Sequence, residues 1–282
     1  MINHYIPKDL KDALLYLSTH DCYIVSGGTD LMVQKHFSSG LLPKFDKDVL
    51  YVAELKELQY IKENKEGNIE IGAETKFIDI LSSPLIPEIY KTVIKEIASS
   101  NIRNVATMVG NICNASPAGD SIVPLVLNDA EVVLESVNGT RSVLVSDFIL
   151  GVRKIDRKND EIVTKIVLLK QNLNYFYKKV GSRKAESITK VSLLGGYRIE
   201  GNIIKDLRVA FGSVAIKVVR SKEVENKYKN IKVKELDIDK VLEDYAPLIT
   251  PIDDQRSNKE YRHKVALNLL RKFLVDMKGG NE

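Results

Sequence analysis

Cysteine is scarce in this 282-residue chain, which contains only Cys22 and Cys113 and no CxxC pair. The four histidines have no metal-ligand spacing among them. An iron–sulfur cluster with four thiolate ligands therefore cannot be built from this chain alone. We predict that the chain holds no metal.

Four common nucleotide-binding and hydrolase motifs are also missing. The sequence contains no GxGxxG, GxxxxGK[ST], GxSxG or HExxH. Their absence disfavours a Rossmann dinucleotide domain, a P-loop NTPase, a serine hydrolase and a zinc metalloprotease.

No apolar run approaches the length that spans a bilayer, and the first residues, Met1–Pro7, lack the basic and apolar regions of a leader. We expect a cytoplasmic protein in a reducing compartment, without a membrane span. The net charge of +4, from 42 basic and 38 acidic residues, is too small to indicate a nucleic-acid surface. The basic concentration between Arg153 and Lys190 leaves a nucleic-acid binder open, but it has little interleaved aromatic stacking.

A glycine loop stands where a strand would turn into a helix. Ser26-Gly27-Gly28-Thr29-Asp30 follows the apolar run Tyr23–Val25 and precedes Leu31–Val33. The glycine pair would allow a ligand to approach the backbone, and a helix starting at Thr29 or Asp30 would favour an anion such as pyrophosphate. A simple tight turn is the alternative.

A second segment, Ala106–Asp120, is dense in small and polar residues and lacks the apolar periodicity of a core element. It carries five short polar side chains: Thr107, Asn111, Asn114, Ser116 and Asp120. A ligand would supply their missing partners, and Asp120 could accept from a ribityl or ribose hydroxyl. Two loops that offer backbone N–H donors suggest a large anionic cofactor. The alternative is a surface loop whose polar groups form hydrogen bonds with one another.

Periodicity and turn signals predict two parts with a boundary near residue 171. The first part is predicted to be α/β, and the second to be an antiparallel meander followed by helices. Asn138-Gly139 predicts a hairpin, and Asp120 or Ser121 is expected to cap a helix over 122–127. The remaining predicted elements are helices at 8–20, 87–100, 234–245 and 257–277, a helical turn at 54–58, and strands at 23–25, 49–52, 69–73, 131–137, 141–145, 197–199, 203–204 and 207–212.

These residues resemble the FAD-binding (medium) subunit of the molybdenum hydroxylases, the xanthine dehydrogenase and carbon monoxide dehydrogenase family. The resemblance runs through nearly the whole chain and is carried by two ordered motifs, Ile24–Leu31 and Ile102–Asp120. Further matching segments are Asp160–Val163, Tyr177–Ala185, Arg256–Ser257 and Tyr261–Arg262.

The resemblance implies an α+β fold: a two-part α/β FAD-binding domain of the molybdopterin dehydrogenase or vanillyl-alcohol-oxidase-like type, followed by a small antiparallel sheet plus helices. The FAD-binding domain is expected at 1–170, with subdomains of about 1–55 and 56–170. A carbon monoxide dehydrogenase flavoprotein-like C-terminal domain is expected at 171–282.

By the same resemblance, the two loops hold the FAD pyrophosphate and ribityl chain, Val163 lies against the flavin and Lys179 sits near the isoalloxazine ring. Lys179 lies in a basic run, so a solvated side chain is the alternative. FAD carries the chemistry, and no catalytic side chain is expected. The expected FAD-binding residues are Ile24, Val25, Ser26, Gly27, Gly28, Thr29, Asp30, Leu31, Ala106, Thr107, Val109, Gly110, Asn111, Asn114, Asp120, Val163 and Lys179.

The sequence departs from the family pattern at two places. Val109 stands where the family usually has glycine, and a β-branched residue there puts FAD affinity in question. Ile97 stands where some members carry an aromatic residue near the flavin, and plain helix packing is the interpretation we favour for it.

The resemblance places the [2Fe-2S] clusters and the molybdopterin on partner subunits, an iron–sulfur subunit and a molybdopterin subunit, in an obligate hetero-oligomer. Electrons are expected to pass from a cluster to FAD and then to NAD or another acceptor.

The residues of Ile102–Thr107 and Gly110–Ala115 most resemble those of bacterial purine dehydrogenases. A purine such as xanthine is therefore the first choice of substrate, with nicotinate, aldehydes and carbon monoxide open. A 4-hydroxybenzoyl-CoA reductase subunit is disfavoured, since its cysteine-rich insertion is missing. A non-catalytic assembly module that has lost FAD is a further alternative.

Overall fold

Helices and strands are mixed throughout the computed structural model, which describes residues 2–36 and 42–279. The chain divides into two units. The first unit contains the chain up to Ala115 together with Asp129–Lys170, and the second contains Ser116–Asn128 together with the chain from Gln171 onward. Among the described residues, none of the helices combines the length and the apolar character that a bilayer crossing requires.

The helices in chain order are α1 (Leu10–Leu17), α2 (Leu31–Lys35), α3 (Phe77–Ser82), α4 (Glu88–Lys95), α5 (Ser100–Arg103), α6 (Met108–Asn114), α7 (Ile122–Leu127), α8 (Val145–Phe148), α9 (Lys222–Lys227), α10 (Ile238–Tyr245) and α11 (Lys259–Gly279). The strands are β1 (His4–Tyr5), β2 (Cys22–Val25), β3 (Asp48–Tyr51), β4 (Ile61–Glu63), β5 (Ile69–Gly72), β6 (Glu131–Ser136), β7 (Gly139–Leu144), β8 (Ile149–Gly151), β9 (Lys154–Ile155), β10 (Ile162–Leu168), β11 (Asn174–Val180), β12 (Val191–Glu200), β13 (Ile203–Gly212) and β14 (Val219–Arg220).

Two sheets organise the first unit. A parallel sheet has the strand order β1-β3-β2, and its central residues Val49 and Leu50 are fully buried. A larger antiparallel sheet has the order β4-β5-β10-β6-β7, with β10 inserted between strands far from it in the sequence. A smaller antiparallel pair is formed by β8 and β9.

The predicted hairpin is confirmed, with its turn one residue earlier than the Asn138-Gly139 pattern suggests. Ser136 pairs with Gly139, so Val137 and Asn138 form the two-residue loop. Gly139 has a φ of 137°, a conformation that favours glycine.

The helix predicted over 87–100 ends at Lys95. Ala98 has a left-handed φ of 43°, which interrupts the helix, and α5 begins two residues later. Ile97 therefore lies just beyond α4 and is half-buried, so its expected packing within the helix is not observed.

The segment predicted to be an irregular second loop is largely the helix α6. Met108, Val109 and Ile112 are buried on one side of it, and the polar residues between them mask this periodicity in the sequence. Ala115, with a φ of 47°, ends the helix.

An antiparallel sheet, ordered β11-β12-β13-β14, forms the centre of the second unit. The strands predicted separately at 203–204 and 207–212 are one ten-residue strand, β13, paired with the ten-residue β12. Neighbouring glycines show that both sheet faces are covered: Gly195 lies against Phe273 of α11, and Gly196 lies against Leu127 of α7. The short helix α9 was not predicted; Ser221 begins it by accepting a hydrogen bond from the Val224 amide.

The carbonyl groups that end α7 are bound by side chains of the C-terminal sheet region. Arg220 donates to the Val126 carbonyl at 2.8 Å and Arg208 donates to the Leu127 carbonyl at 3.3 Å. These bonds satisfy groups that a helix end leaves unpaired. They explain why Ser116–Asn128 belongs to the second unit although it lies within the first half of the sequence.

Candidate cofactor site

The first predicted cofactor loop connects the end of β2 to the start of α2. Gly28 has a φ of 66°, which an L side chain adopts only with strain. Across the described residues, the amide N–H groups of Gly27, Gly28 and Thr29 donate to no other residue. The loop therefore presents three adjacent main-chain donors. Asp30 precedes α2 without capping it through its side chain, and α2 has only five residues, so the predicted helix-dipole contribution is small.

The first loop touches the start of the second motif. A β-carbon built on Gly27 would lie 2.2 Å from the Val105 carbonyl oxygen, so only glycine permits this approach. The Ser26 and Thr107 hydroxyl oxygens are 3.3 Å apart. Residues about 80 positions apart in the chain are thus brought together in one place.

Thr107 caps α6 by accepting a hydrogen bond from the Gly110 amide at 2.9 Å. The Met108 and Val109 amides, which precede it in the first turn, have no acceptor among the residues that the structure describes. Val109 lies in a helix, where its β-branched side chain is allowed and is buried. Its main-chain donor is therefore kept despite the departure from glycine.

A second connection joins the two motifs through α2. The Gln34 side-chain amide donates to the Asn114 side-chain oxygen at 2.9 Å and also to Asp30. Arg153 lies 4.0 Å from the same Asp30 carboxylate, and its amide donates to the Ala115 carbonyl. Asp30 and Asn114, both expected at the cofactor, are thus linked by Gln34, which lies outside both motifs.

The other expected first-unit residues fall around these loops. Ile24 and Val25 end β2, Leu31 begins α2, Ala106 lies buried beside Thr107, and Asn111 lies on α6. Val163 is buried on β10, where it pairs with Leu134 next to an irregularity in the ladder. The helix α6 packs against this strand.

Asp120 and Lys179, which belong to the second unit, form a buried ion pair. The Lys179 ammonium lies 2.8 Å from one Asp120 oxygen, and the Thr189 hydroxyl donates to the other at 2.5 Å. The two charged side chains are 6% and 8% exposed. Burial raises the pKa of Asp120, and the hydrogen bonds from Lys179 and Thr189 oppose that rise.

This pair decides two points that the sequence left open. Asp120 does not cap α7, because its carboxylate is turned to Lys179 and Thr189. Ser121 is the N-cap residue of α7, but its side chain makes no capping hydrogen bond. Lys179 is not a solvated member of its basic run, whereas Lys178 and Lys184 are exposed. The alternation of β11 explains the difference between Lys178 and Lys179, since neighbouring side chains on a strand point to opposite faces.

Glu74 belongs to neither of the two sequence motifs. It follows β5, is 1% exposed, and accepts a hydrogen bond from the Ser26 hydroxyl at 2.8 Å. Burial raises the pKa of its carboxyl group, and the bonds from Ser26 and Lys76 oppose that rise. Its only sequence signal is a carboxylate directly after an apolar strand.

Two of the other matching segments make structural ion pairs. Glu161 accepts from Arg141 at 2.7 and 2.8 Å, and this contact lowers the pKa of the glutamate. In the second unit, the buried Arg262 donates to Asp254 at 2.7 Å and to the Ser213 carbonyl at 3.3 Å. Among the described residues, no group of histidine, cysteine and carboxylate side chains is arranged to hold a metal ion.

Both parts of the chain match described protein families. Residues 1–168 match the FAD binding domain in molybdopterin dehydrogenase, and residues 175–277 match the CO dehydrogenase flavoprotein C-terminal domain.

Similar proteins match over nearly their full length. The chain is 32% identical over 278 residues to the glyceraldehyde dehydrogenase medium chain of Sulfolobus acidocaldarius, covering 96% of each. It is 26% identical over 275 residues to the xanthine dehydrogenase FAD-binding subunit of Escherichia coli O157:H7, covering 95% of this chain and 92% of that one.

The fold matches a solved structure closely. Reconstituted CO dehydrogenase from Oligotropha carboxidovorans superimposes with a TM-score of 0.87 at 21% identity, covering 96% of each chain. This similarity and the two family matches confirm the predicted fold class, an FAD-binding domain of mixed α/β structure followed by an antiparallel sheet with helices.

Proposed function

This chain belongs to the family of FAD-binding subunits of the molybdenum hydroxylases, and from that premise we propose that its two touching loops hold the diphosphate of FAD. The observation that carries the proposal is the contact of Gly27 with Val105. This contact places two sets of main-chain donors, Gly27–Thr29 and Met108–Val109, on neighbouring segments. Amides without an internal acceptor are suited to bind phosphate oxygens.

The chemistry of the site fits an anionic, hydroxyl-bearing cofactor. Main-chain amides would bind the diphosphate, and the side chains of Asp30, Asn111 and Asn114 offer partners for ribose or ribityl hydroxyls. Val163 would supply an apolar contact. The buried Lys179, held by Asp120, is a fixed positive charge in the second unit, and we propose that it lies near the isoalloxazine ring.

We propose that residues 1–170 form the FAD-binding domain, with subdomains of about 1–55 and 56–170, and that 171–282 form the C-terminal domain. The family matches at 1–168 and 175–277 support these boundaries. The packing of Ser116–Asn128 in the second unit means that the chain crosses the boundary three times rather than once.

In the proposed complex, the [2Fe-2S] clusters and the molybdopterin lie on partner subunits, because Cys22 and Cys113 are too few to ligate a cluster. Bound FAD supplies the redox chemistry of accepting electrons from a cluster and passing them to NAD or another acceptor. The residues of this chain bind and orient the cofactor, and the electron transfer needs no general acid or base from them. We propose that the complex assembles in the cytoplasm.

For the substrate of the complex we propose a purine such as xanthine. The proposal rests on the sequences of Ile102–Thr107 and Gly110–Ala115 and on the similarity to the xanthine dehydrogenase subunit. An aldehyde is the second candidate, because the glyceraldehyde dehydrogenase medium chain is 32% identical over nearly the whole chain. Purification of the complex followed by dye reduction with xanthine, glyceraldehyde, nicotinate and carbon monoxide tests both. Reduction by glyceraldehyde and not by xanthine would replace the first candidate with the second.

Binding of FAD is tested with a pair of variants that match in size and differ in charge. Thr29 is half-buried in the first loop, so Thr29→Asp places a negative charge there, while Thr29→Asn has the same size without the charge. We expect the dissociation constant for FAD to be at least about tenfold higher for the aspartate variant than for the asparagine variant, because the new charge repels the diphosphate. Equal affinities would place the diphosphate elsewhere. A purified wild-type chain that takes up no FAD, read from the visible flavin absorbance, would favour a module that has lost its cofactor.

A further inference from the structure

A chain of hydrogen bonds leads from the second loop to a buried carboxylate behind the first. The Gly110 amide donates to the Thr107 hydroxyl oxygen at 2.9 Å, and that oxygen is 3.3 Å from the Ser26 hydroxyl oxygen. The Ser26 hydroxyl in turn donates to a Glu74 carboxylate oxygen at 2.8 Å. Since a carboxylate only accepts, the proton on Ser26 points toward Glu74 and away from the loop amides.

Glu74 is deeply buried and only partly compensated. Its side chain is 1% exposed, and its nearest cation, the Lys76 ammonium, lies 3.4 Å away and is itself 22% exposed. The Cys113 thiol on α6 also interacts with it, and burial raises the pKa of this thiol to about 11, so that the thiol stays neutral. When it is ionised, this carboxylate places a negative charge one hydrogen bond away from Ser26, the residue that precedes the donors of the first loop.

We propose that Glu74 takes up a proton from solvent when FAD binds, a proposal that rests on the proposed function of the two loops. Two effects drive the uptake. The arriving diphosphate is an anion, so it disfavours a second anion behind the loop. A protonated Glu74 also donates its own hydrogen bond to Ser26, which frees the Ser26 proton to turn toward the ligand.

The linkage has a defined direction with pH. The diphosphate raises the pKa of Glu74 further above the value it has in the free chain. FAD affinity is then constant while Glu74 is protonated in both states. As pH rises between the free and the bound pKa, the dissociation constant increases by up to tenfold per pH unit, and it levels off above the bound value.

The experiment measures FAD binding to the full chain stripped of flavin. Flavin fluorescence gives the dissociation constant from about pH 5 to about pH 9, a range that spans the expected titration of a buried carboxylate. Calorimetry in two buffers of different ionisation enthalpy gives the protons taken up. Glu74→Gln keeps the hydrogen bond from Ser26 but cannot ionise, so it should remove both the uptake and the pH-dependence. Glu54→Gln changes an exposed glutamate of the same unit and should leave both as in the wild type.

The outcomes are separable. Binding of FAD by the wild type without proton uptake, with pH profiles that coincide for wild type and Glu74→Gln, overturns the inference and leaves the proposed function standing. A wild type that binds no FAD at any pH overturns the proposed function itself. If Glu74→Gln does not fold, Ser26→Ala serves instead. It removes the connection between Glu74 and the loop, and it should reduce the proton uptake while Glu74 remains present.

Discussion

Gly27 and Val105 meet so closely that a β-carbon on the glycine would lie 2.2 Å from the valine carbonyl oxygen and 2.8 Å from its carbonyl carbon. The neighbour is main chain, so it cannot move aside by changing a rotamer. The two loops can therefore touch only because position 27 has no side chain.

The first prediction concerns this contact. Gly27→Ala should push the first loop away from Val105 and lower the free energy of unfolding by about 1–3 kcal/mol. It should also weaken FAD binding, because the two loops would no longer touch. Thermal unfolding with and without FAD measures both effects. Gly279→Ala, where an added β-carbon meets nothing within 4 Å, is the matched control. A Gly27→Ala variant that retains wild-type FAD affinity would contradict a shared role of the two loops.

The buried pair of Lys179 and Asp120 leads to the second prediction. Lys179→Met leaves the Asp120 carboxylate buried without its cation, which we expect to cost about 3–5 kcal/mol of unfolding free energy. The neighbouring Lys178→Met changes an exposed lysine on the same strand and should be close to neutral. Denaturant unfolding at pH 7 compares the two. Adding Asp120→Asn to Lys179→Met should recover part of the loss, and a strictly additive double variant would show that the pair is not coupled.

A pH effect on stability is expected at Glu161. Arg141 lowers the pKa of this carboxyl group in the folded chain, so the pair contributes stability above the unfolded pKa of about 4.3. That contribution is lost as the pH falls through the lowered folded value. Glu161→Gln should therefore be less stable than the wild type at pH 7, and the difference should shrink toward low pH. Unfolding midpoints across the acid range measure this, and a gap that stays constant at all pH values would refute it.

Packing in the second unit supplies the fourth prediction. A β-carbon on Gly195 would lie 2.5–2.6 Å from three ring atoms of Phe273, so the ring rests directly on the strand. Gly195→Ala should cost about 1–3 kcal/mol of unfolding free energy through overpacking. Phe273→Leu opens space at the same place, so the double variant should lose less than the sum of the two single variants. Equal or greater loss would show that the ring does not constrain position 195.

Local signals predicted much of the fold. The hairpin of β6 and β7, the helix α1 and the strand β2 with its glycine loop were all predicted at or near their observed places, since each depends on turn chemistry or periodicity within a few residues. The second motif was predicted to be a cofactor segment, whereas its helix α6 was not predicted. Its burial depends on packing against β10, about 50 positions later in the chain.

The sequence indicated candidate site residues but not the hydrogen bonds that connect them. Glu74 and Gln34 carry no motif, and their roles depend on hydrogen bonds to Ser26 and Asn114 across 48 and 80 positions of the chain. In the same way, no local pattern could assign Ser116–Asn128 to the second unit.

By itself, the amino-acid sequence determined the family and the two loops, because glycine, threonine and asparagine at those spacings constrain the backbone locally. It also determined that a cluster with four thiolate ligands cannot be built from this chain alone, because two cysteines are too few. Tertiary structure alone decided that the loops touch, that Lys179 is buried against Asp120, and that a carboxylate lies behind Ser26. Burial and long-range hydrogen bonds join residues far apart in the chain, and such pairs leave no periodic trace in the sequence.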